Sequence, residues 1–534
     1  MKRQRRRARC HGGDAREPPD SLTALGQWAC SRPNGIAVRT ERRDVSFSEL
    51  QQMVTEAASL LDAASCKRCA IFMDNGLGWI VADLALRKAN CVSVPLPGYF
   101  LEAQIDHVLR RAGVDLVVTD VPERLGRLAM ARLIPSQTTL GKDLELQRVR
   151  LFRLDHKTGD AHPSLPPHAR KLTFTSGTTG QPKGVCLSDA VIDRVAHTLL
   201  VATEGISHDR HLSILPYPAL LENIAGIDVT LMAGAEICAL PLASLGFTGS
   251  SGLEPQHLIT ALDRYQPSSI VTVPQILKVL MQMVHKASWR QDYLRHVAVG
   301  GASLPLGAVE QARGLGLPVF EGYGLSECGS VVSLNTRTHN RPGSVGRVMP
   351  HCDVRLAEDG EVLVDGSSAV GYLEPNGDVS DLASGPIATG DIGRFDDDGY
   401  LYLLGRKKNM FITAYGRNVA PDWVECELTA MPSIGQAIVF GEARPWNVAV
   451  IVPRSEALAK GNDACRDLVA GEVAAVNDRL PDYARIRRWL TIDQPFLTSN
   501  GLMTWNGRLR RQQIAAIYQN RIDFLYEEDA ADVF

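Results

Sequence analysis

The sequence predicts an α/β fold: a large N-terminal domain of parallel and mixed sheets covered by helices, and a small α+β C-terminal domain. Short apolar runs such as SIVTV (269–273) and HVAVGG (296–301) alternate with helical patterns such as PQILKVLMQMVHKA (274–287). This alternation is typical of parallel strands joined by helices. From Cys352 onward the runs shorten and are joined by Asp-Gly turns. These turns predict the hairpins of a small β module that closes the large domain.

Size and composition narrow the class of protein. The chain has 534 residues, 45% of them hydrophobic and 22% charged, and a formal net charge of −3. This length suits two or more domains, and the charge provides no global field that favours nucleic acid. No apolar run approaches the length of a membrane span. The 11 scattered cysteines suit a reducing compartment, so we expect a cytoplasmic protein.

The N-terminus is strongly basic and polar. Lysine and arginine fill six of the first nine positions, and no apolar segment of the kind found in secretory signals follows them. We expect residues 1–20 to form a disordered tail. The alternative is a tether to a membrane surface or to nucleic acid.

The most informative segment is LTFTSGTTGQPKGVCLS (172–188), which is rich in glycine and hydroxyl groups. Glycines let backbone N–H groups turn toward an anion, and hydroxyls add donors, so the segment can wrap a polyphosphate. The residues that offer these donors are Thr175, Ser176, Gly177, Thr178, Thr179 and Gly180. Lys183 adds a mobile positive charge. A flexible surface loop is the alternative.

This segment is not a P-loop, because a P-loop lysine opens directly into a helix. Here Lys183 follows a proline, and the GVCL that comes next has the pattern of a strand. Ser188 is the expected N-cap of the helix that follows. The segment is therefore predicted to join two strands.

Four further segments occur in order: VGGASL (299–304), EGYGLSECG (321–329), TGDIG (389–393) and GRKKNMFITAYGRNVAP (405–421). With the loop, they resemble the acyl-adenylate-forming superfamily of AMP-dependent synthetases and ligases, and especially bacterial long-chain acyl-CoA synthetase-like proteins. The resemblance runs from about Ser21 to the C-terminus, and motifs in order are far more specific than any one alone. It implies an AMP-binding domain over 21–404 and a mobile lid domain over 405–534.

The resemblance implies roles at the phosphates and at the metal. It assigns Thr175 and Glu327 to Mg²⁺ and Ser326 to the α-phosphate. Mg²⁺ prefers such oxygen ligands, supplemented by substrate phosphates and water. The alternative for Glu327 is a surface glutamate.

The resemblance also implies a site for the nucleoside. Tyr323, followed by Gly324, would stack on adenine, while the backbone of Gly301 and Ala302 would press against the base. Asp391 would accept both ribose hydroxyls, and Arg406 is the matching donor. The alternatives are a core aromatic for Tyr323 and a local Asx-turn for Asp391.

Two residues of the C-terminal domain relate to a second half-reaction with a thiol. Lys408 stands at the hinge position of the resembling family, and the alternative is a solvated lysine. Gly416, in the well-kept 405–421 segment, would approach the phosphopantetheine arm after the domain rotates. An intact thioester step is therefore plausible.

The chain departs from the family pattern at two places. In NGLMTWNGRLRRQQI (500–514), Arg508 takes the place of the usual catalytic lysine. Arginine keeps the charge but has a planar fork of different reach, so it can clamp carboxylate and phosphate bidentately or leave a slow site. In LPYPALLEN (215–223), Ala219 replaces a larger residue near the acyl pocket, and Glu222 matches an acidic position weakly.

These observations predict an acid–thiol ligase that uses ATP and Mg²⁺ and takes CoA as co-substrate. It would activate a small-molecule carboxylic acid, first of all a fatty acid, to an acyl-AMP. The alternatives are transfer to a carrier protein or another nucleophile, or a weakened binding homologue that lacks the lysine. Binding of nucleic acid through the basic tail is a third class, and we expect no nucleic-acid partner.

Overall fold

A computed structural model describes residues 19–125, 134–143, 145–154, 163–176, 182–248, 252–286, 289–302, 304–305, 307–374, 378–381, 385–504 and 507–527. Most of the predicted tail lies outside these ranges, as do four residues of the predicted phosphate loop, namely Gly177, Thr178, Thr179 and Gly180. Asp20 is the N-cap of the first helix, since its side chain accepts a hydrogen bond from the backbone N–H of Thr23 at 2.8 Å.

The helices cover the sheets of the N-terminal part and one sheet of the C-terminal part. In the described ranges the α-helices are α1 (Ser21–Ser31), α2 (Phe47–Ala63), α3 (Leu77–Lys88), α4 (Glu102–Ala112), α5 (Pro122–Leu125), α6 (Asp189–Ala202), α7 (Leu220–Glu222), α8 (Thr230–Ala233), α9 (Pro255–Tyr265), α10 (Pro274–His285), α11 (Ala308–Gly314), α12 (Pro421–Thr429), α13 (Ser455–Leu458), α14 (Asn462–Asn477) and α15 (Arg511–Phe524). A π-helix, Asn223–Val229, connects α7 to α8. Within the described residues, no helix combines the length and the apolar character needed to cross a membrane.

The first large sheet has a parallel centre and antiparallel edges. Its described strands, in spatial order, are β18 (Arg347–Val348), β17 (Ser333–Leu334), β16 (Val319–Tyr323), β15 (His296–Val299), β14 (Ser269–Thr272), β10 (Arg210–Leu212), β11 (Glu236–Cys238), β1 (Ile36–Arg39) and β2 (Asp44–Ser46). The strands from β16 to β1 run parallel. The carboxyl ends of β14, β15 and β16 therefore lie side by side.

The second large sheet also has a parallel centre. Its described strands, in spatial order, are β22 (Val379–Asp381), β21 (Gly371–Leu373), β9 (Pro182–Leu187), β8 (Lys171–Ser176), β4 (Val92–Pro95), β3 (Arg68–Phe72), β5 (Leu116–Thr119), β7 (Arg150–Arg153) and β6 (Ile134–Thr139). Strands β8 and β9 pair antiparallel. The predicted phosphate loop thus joins two strands, as the sequence predicted, and Ser188 caps α6 by accepting from Val191 N–H.

Smaller sheets complete the described fold. The predicted β module is formed by β19 (Cys352–Leu356), β20 (Glu361–Gly366), β23 (Ile387–Phe395) and β24 (Leu401–Arg406). The C-terminal part contains a sheet of β27 (Ile434–Phe440), β28 (Asn447–Pro453) and β29 (Ile486–Thr491). Two short antiparallel pairs complete the described strands: β12 (Phe247–Thr248) with β13 (Gly252–Leu253), and β25 (Phe411–Ile412) with β26 (Asn418–Val419). The C-terminal sheet has apolar clusters of its own, one around Val439 and Ile451 and another around Ile438 and Val450. The predicted fold class is confirmed, and the boundary at 404–405 stays a prediction.

Buried polar contacts hold the segment that contains Ala219 and the π-helix between the two large sheets. Glu222 is fully buried; its carboxylate lies 2.9 Å from His211 Nε2 on β10 and accepts Leu215 N–H at 3.2 Å. The next residue, Asn223, accepts from Lys171 on β8 and donates to Asp83 at 3.1 Å. Because buried polar groups are costly unless paired, these contacts fix the segment against both sheets.

A substitution at Gly226, in the π-helix, tests how tightly this segment is packed. A Cβ at this position would lie 2.7 Å from Glu222 Oε1, 3.0 Å from Ser213 Oγ and 3.2 Å from His211 Nε2. We expect Gly226→Ala to lower the free energy of unfolding by about 1–3 kcal/mol, because the buried pair must move. Chemical denaturation measures the change.

Gly471 provides the matched control. It lies in α14 with nothing within 4 Å of an added Cβ. Gly471→Ala should leave stability unchanged or raise it by up to about 1 kcal/mol, since alanine favours helix. Equal effects of the two substitutions would contradict tight packing at Gly226.

Candidate active site

A buried carboxylate with two donors forms one half of the site. Asp391 on β23 and Arg406 on β24 are cross-strand partners, and Arg406 Nε lies 2.7 Å from Asp391 Oδ1. Tyr323 Oη donates to Asp391 Oδ2 at 2.6 Å. Burial raises the pKa of Asp391, whereas Arg406 and the tyrosine hydroxyl lower it. The residues predicted for ribose and adenine therefore meet at one place.

Glycines bring the backbone of the predicted base-binding strands close together at the carboxyl ends of β15 and β16. A Cβ at Gly300 would lie 3.2 Å from the carbonyl oxygen of Gly322, and Gly301 has a φ of +83°. After Tyr323 the chain turns so tightly that a Cβ at Gly324 would lie 1.7 Å from Ser330 O. Only glycine fits that turn, and it places Ser326 and Glu327 in the short 3-10 turn that follows.

Arg508 reaches this edge of the sheet from the C-terminal part. Its Nη2 donates to the carbonyl of Gly301 at 3.3 Å. Burial and the charge of Arg406 lower the pKa of Arg508, and the carboxylates of Asp391 and Asp422 raise it. The guanidinium, which departs from the family pattern, thus lies among the residues predicted to bind the nucleoside.

Lys408 lies in the same electrostatic environment. Burial, Arg406 and Arg508 lower the pKa of Lys408, and Asp422 and Asp391 raise it. The backbone before it remains bound to the β module, because Lys407 N–H donates to the Gly390 carbonyl at 2.8 Å. Lys408 follows this contact directly, and after it the backbone N–H groups of Asn409 and Met410 donate to the carbonyl of Arg406 at 3.0 Å.

Lys183 and Glu327 form the other half of the site, around Tyr372. Lys183 Nζ lies 3.5 Å from the centre of the Tyr372 ring and 2.9 Å from Glu374 Oε1. Burial and, after it, the charge of Glu327 raise the pKa of Tyr372. Thr175 pairs with Lys183 in the β8–β9 ladder, so its backbone belongs to this group. The side chains of Thr175 and Ser176 lie outside the described atoms.

Gly416 is not part of this assembly. It lies in the exposed turn between β25 and β26 with a φ of +72°, and its neighbour Tyr415 is 77% exposed. Nothing stands within 4 Å of a Cβ added at Gly416. Ala302 lies half-buried beside Gly301. The structure therefore brings Tyr323, Asp391 and Arg406 together at one place and Gly301 together with Arg508, and leaves Gly416 apart.

Two residues at the site were missed by sequence reasoning. Asp422 accepts from the backbone N–H of Arg406 at 3.2 Å and from Asn409 Nδ2 at 3.1 Å, so it fastens the 405–409 segment to α12. Glu321 is buried in β16, and burial raises its pKa to about 8. A carboxylate inside the apolar strand pattern PVFEGY (318–323) was the available signal for Glu321. No comparable signal marked Asp422.

The fold defines an α/β protein in which several residues predicted to bind a nucleotide lie at the carboxyl ends of parallel strands and are met there by Arg508 of the C-terminal part. Comparisons with known proteins identify the family. The family model described as AMP-binding enzyme matches residues 25–376, and that of the AMP-binding enzyme C-terminal domain matches 408–530. The chain belongs to the AMP-binding enzyme family.

Individual relatives cover most of the chain. A long-chain-fatty-acid–CoA ligase of Mycobacterium bovis is 26% identical over 91% of this chain and 93% of its own length. A feruloyl-CoA synthase of an Amycolatopsis species is 27% identical over 86% of this chain and 96% of its own. The crystal structure of an anthranilate CoA ligase in complex with anthranoyl-AMP has a TM-score of 0.77 and 17% identity, and the match covers 94% and 98% of the two chains. This last likeness supports the fold.

The raised pKa of Glu321 makes stability depend on pH. Its ordinary value of 4.5 becomes about 8 in the folded protein, so the folded state binds a proton that the unfolded chain releases. The stability from this proton is complete below about pH 4.5 and is lost as the pH rises toward 8. We expect Glu321→Gln to remove this loss, which amounts to about 1.4 kcal/mol per pKa unit.

The measurement is the free energy of unfolding of wild type and Glu321→Gln between pH 5 and 8.5. Glu310, exposed in the first turn of α11, provides the control, because Glu310→Gln should keep the wild-type pH dependence. Parallel curves for Glu321→Gln and wild type would show that Glu321 does not titrate in this range.

Proposed function

We propose that this protein is an acid–thiol ligase that activates a carboxylic acid with ATP and passes the acyl group to CoA. In the first step a carboxylate oxygen attacks the α-phosphorus and pyrophosphate leaves. In the second step the CoA thiolate attacks the acyl carbonyl and AMP leaves. The observation that carries the proposal is the meeting of Asp391, Arg406 and Tyr323 with Arg508 at the strand ends.

Both reactants of the first step are anions, so charge neutralisation and positioning supply most of the catalysis. Arg508 is the cation placed for this, since it lies at Gly301 where the predicted base site ends. Glu327, with Thr175, offers the oxygen donors that Mg²⁺ prefers, and a bound Mg²⁺ would neutralise phosphate charge. Ser326 would donate to the α-phosphate, and Lys183 would exchange Glu374 for a phosphate oxygen.

The thioester step requires a different arrangement of the C-terminal part. Gly416 would face the pantetheine arm only after the domain turns about Lys408, because the turn that contains it is exposed on the surface. Lys408 suits a hinge because it directly follows the backbone hydrogen bond from Lys407 to Gly390 of the β module. We propose that residues 21–404 form the AMP-binding domain and residues 405–534 the lid.

A fatty acid is the proposed substrate. Half-buried apolar side chains pack against the core cluster that contains strands β14, β15 and β16, and among them are Leu221, Ala225, Val273, Ala298 and Leu304. Such a surface favours an uncharged acyl group. One relative is a long-chain-fatty-acid–CoA ligase and another a feruloyl-CoA synthase, so aromatic acids belong in the test.

A panel of acids tests the function. Purified protein with ATP and Mg²⁺ is given fatty acids of increasing length and aromatic acids such as ferulate, with and without CoA. We expect acid-dependent release of pyrophosphate and an acyl-CoA product visible by mass spectrometry. Acyl-AMP without thioester would point to a carrier protein or another acceptor, and no pyrophosphate with any acid would refute the proposal.

Substitutions of Arg508 test whether adenylate formation is adapted to arginine or is weakened by the loss of the usual lysine. We expect Arg508→Lys to lower pyrophosphate release by about tenfold, because a point charge cannot keep the planar fork's contacts and small misplacements at a reacting centre are costly. Arg508→Ala should cost about a hundredfold or more. Arg510, which follows on the same segment, gives the control: Arg510→Lys should stay within about twofold. A large gain for Arg508→Lys would instead indicate a degenerate site.

A further inference from the structure

Helix α10 connects the proposed nucleotide site to the C-terminal part. It begins directly after β14, the neighbour of the strand that leads to Gly301. Lys278, in its second turn, extends Nζ to the backbone carbonyl of Thr429 and donates to it at 3.2 Å. Thr429 is the last residue of α12, so this hydrogen bond joins a helix of the N-terminal part to a helix of the C-terminal part.

The accepting carbonyl is well suited to a cation. The last carbonyls of a helix have no partner within the helix and lie at its negative end. The Thr429 carbonyl also accepts from Arg454 Nη2 at 3.4 Å. One cation from each part of the chain therefore shares this helix end, and of these two cations Lys278 is the one that joins the two parts.

A further contact places the same helix beside the segment that carries Arg508. One turn before Lys278, Gln275 touches Gly507: a Cβ at Gly507 would lie 2.5 Å from Gln275 Nε2. Gly507 has a φ of +79° and immediately precedes Arg508, which donates to Gly301 O. Helix α10, which binds Thr429 through Lys278, therefore also positions the segment that carries Arg508.

We propose that α10 is a docking helix for the C-terminal part in the arrangement used for adenylate formation, and that Lys278 is its main positioning residue. The proposal rests on the two-step function above. Lys278 does not touch the reacting atoms; it acts by holding α12 and, with Gln275, the segment that delivers Arg508. Replacing Lys278 should slow adenylate formation, which needs Arg508 at Gly301. It should leave thioester formation unchanged, because that step uses the other arrangement of the C-terminal part.

The protonated form of Lys278 is only weakly stabilised, which suits a contact that must break in each catalytic cycle. Burial and, after it, the Arg454 guanidinium lower the pKa of Lys278 to about 8, while Glu472 on α14 raises it. Glu472 is itself engaged, since its oxygens accept Ser433 N–H at 2.9 and 3.1 Å. As the pH rises above about 8, Lys278 loses its proton and with it the attraction to the helix end.

The first test needs no substrate. Hydrogen–deuterium exchange on the full chain compares wild type with Lys278→Gln, which removes the charge, and with Lys278→Arg, which keeps it. We expect Lys278→Gln to speed amide exchange in the last turn of α12 by about tenfold, as loss of a charged hydrogen bond entails. Lys286, exposed at the end of α10, is the matched control, and Lys286→Gln should change nothing. Unchanged exchange in Lys278→Gln would overturn the docking role.

The second test separates the half-reactions. ATP–pyrophosphate exchange reports adenylate formation, and supplied acyl-AMP with CoA reports thioester formation. We expect Lys278→Gln to lower the first by about tenfold, to leave the second unchanged, and to be rescued by Lys278→Arg. Equal loss of both would mean a purely structural role and overturn the proposal. A wild type without any pyrophosphate exchange would instead refute the proposed function, and the amide-exchange result would still decide the docking.

A pH profile supplies an independent readout. Pyrophosphate exchange by wild type should decline above about pH 8 relative to Lys278→Arg, whose side chain stays charged. Identical alkaline limbs in the two proteins would contradict the role of the Lys278 charge.

Discussion

The site depends on the ion pair between Asp391 and Arg406. Its carboxylate is buried and its guanidinium half-buried, it joins the neighbouring strands β23 and β24 of the β module, and it receives the hydroxyl of Tyr323 from the first large sheet. A half-paired buried carboxylate is costly, so the pair fixes the module against the strand ends. Arg406 is also the last residue of β24, which means that the same pair determines where the chain leaves for the C-terminal part.

The buried polar groups between the large sheets and the charged groups at the site have different roles. Glu222, Asn223, Lys171 and Asp83 form closed contacts between the large sheets. They make the scaffold rigid. Near Arg508 and Lys408, by contrast, three cations including Arg406 stand with the two carboxylates of Asp391 and Asp422. Such an excess of positive charge is what a protein needs where several anionic groups are to be brought together.

Much of the fold could be predicted from the sequence because it depends on short-range patterns. The alternating apolar runs gave β14, β15 and β16 and the helix after them, and Ser188 was identified as a cap. The predicted loop joins two antiparallel strands, and the apolar run after Lys183, with its strand pattern, was the local signal for the second of them. The order of strands in each sheet, which brings residues 36–46 beside 236–238, depends on long-range pairing that no local pattern reveals.

Within the site, residues in motifs could be predicted and residues that support them could not. Asp391, Arg406 and Tyr323 were found through sequence resemblance, and the structure brings them into contact. Asp422 and Lys278 lie on helices whose sequences look ordinary; their importance comes from backbone groups that they meet across the chain. Glu321 could have been identified from the sequence, since a carboxylate in an apolar strand must be paired or neutral.

The attachment of the C-terminal part has a mechanical consequence. The backbone is clamped to the β module up to Lys407 and to α12 through Asp422, which holds Asn409. Between these clamps stands Lys408. In the proposed rotation the residues beyond Lys408, which have apolar clusters of their own, would turn together about that residue. The stiffness of the contacts on both sides of Lys408 would then determine how closely the Arg508 guanidinium returns to the carbonyl of Gly301.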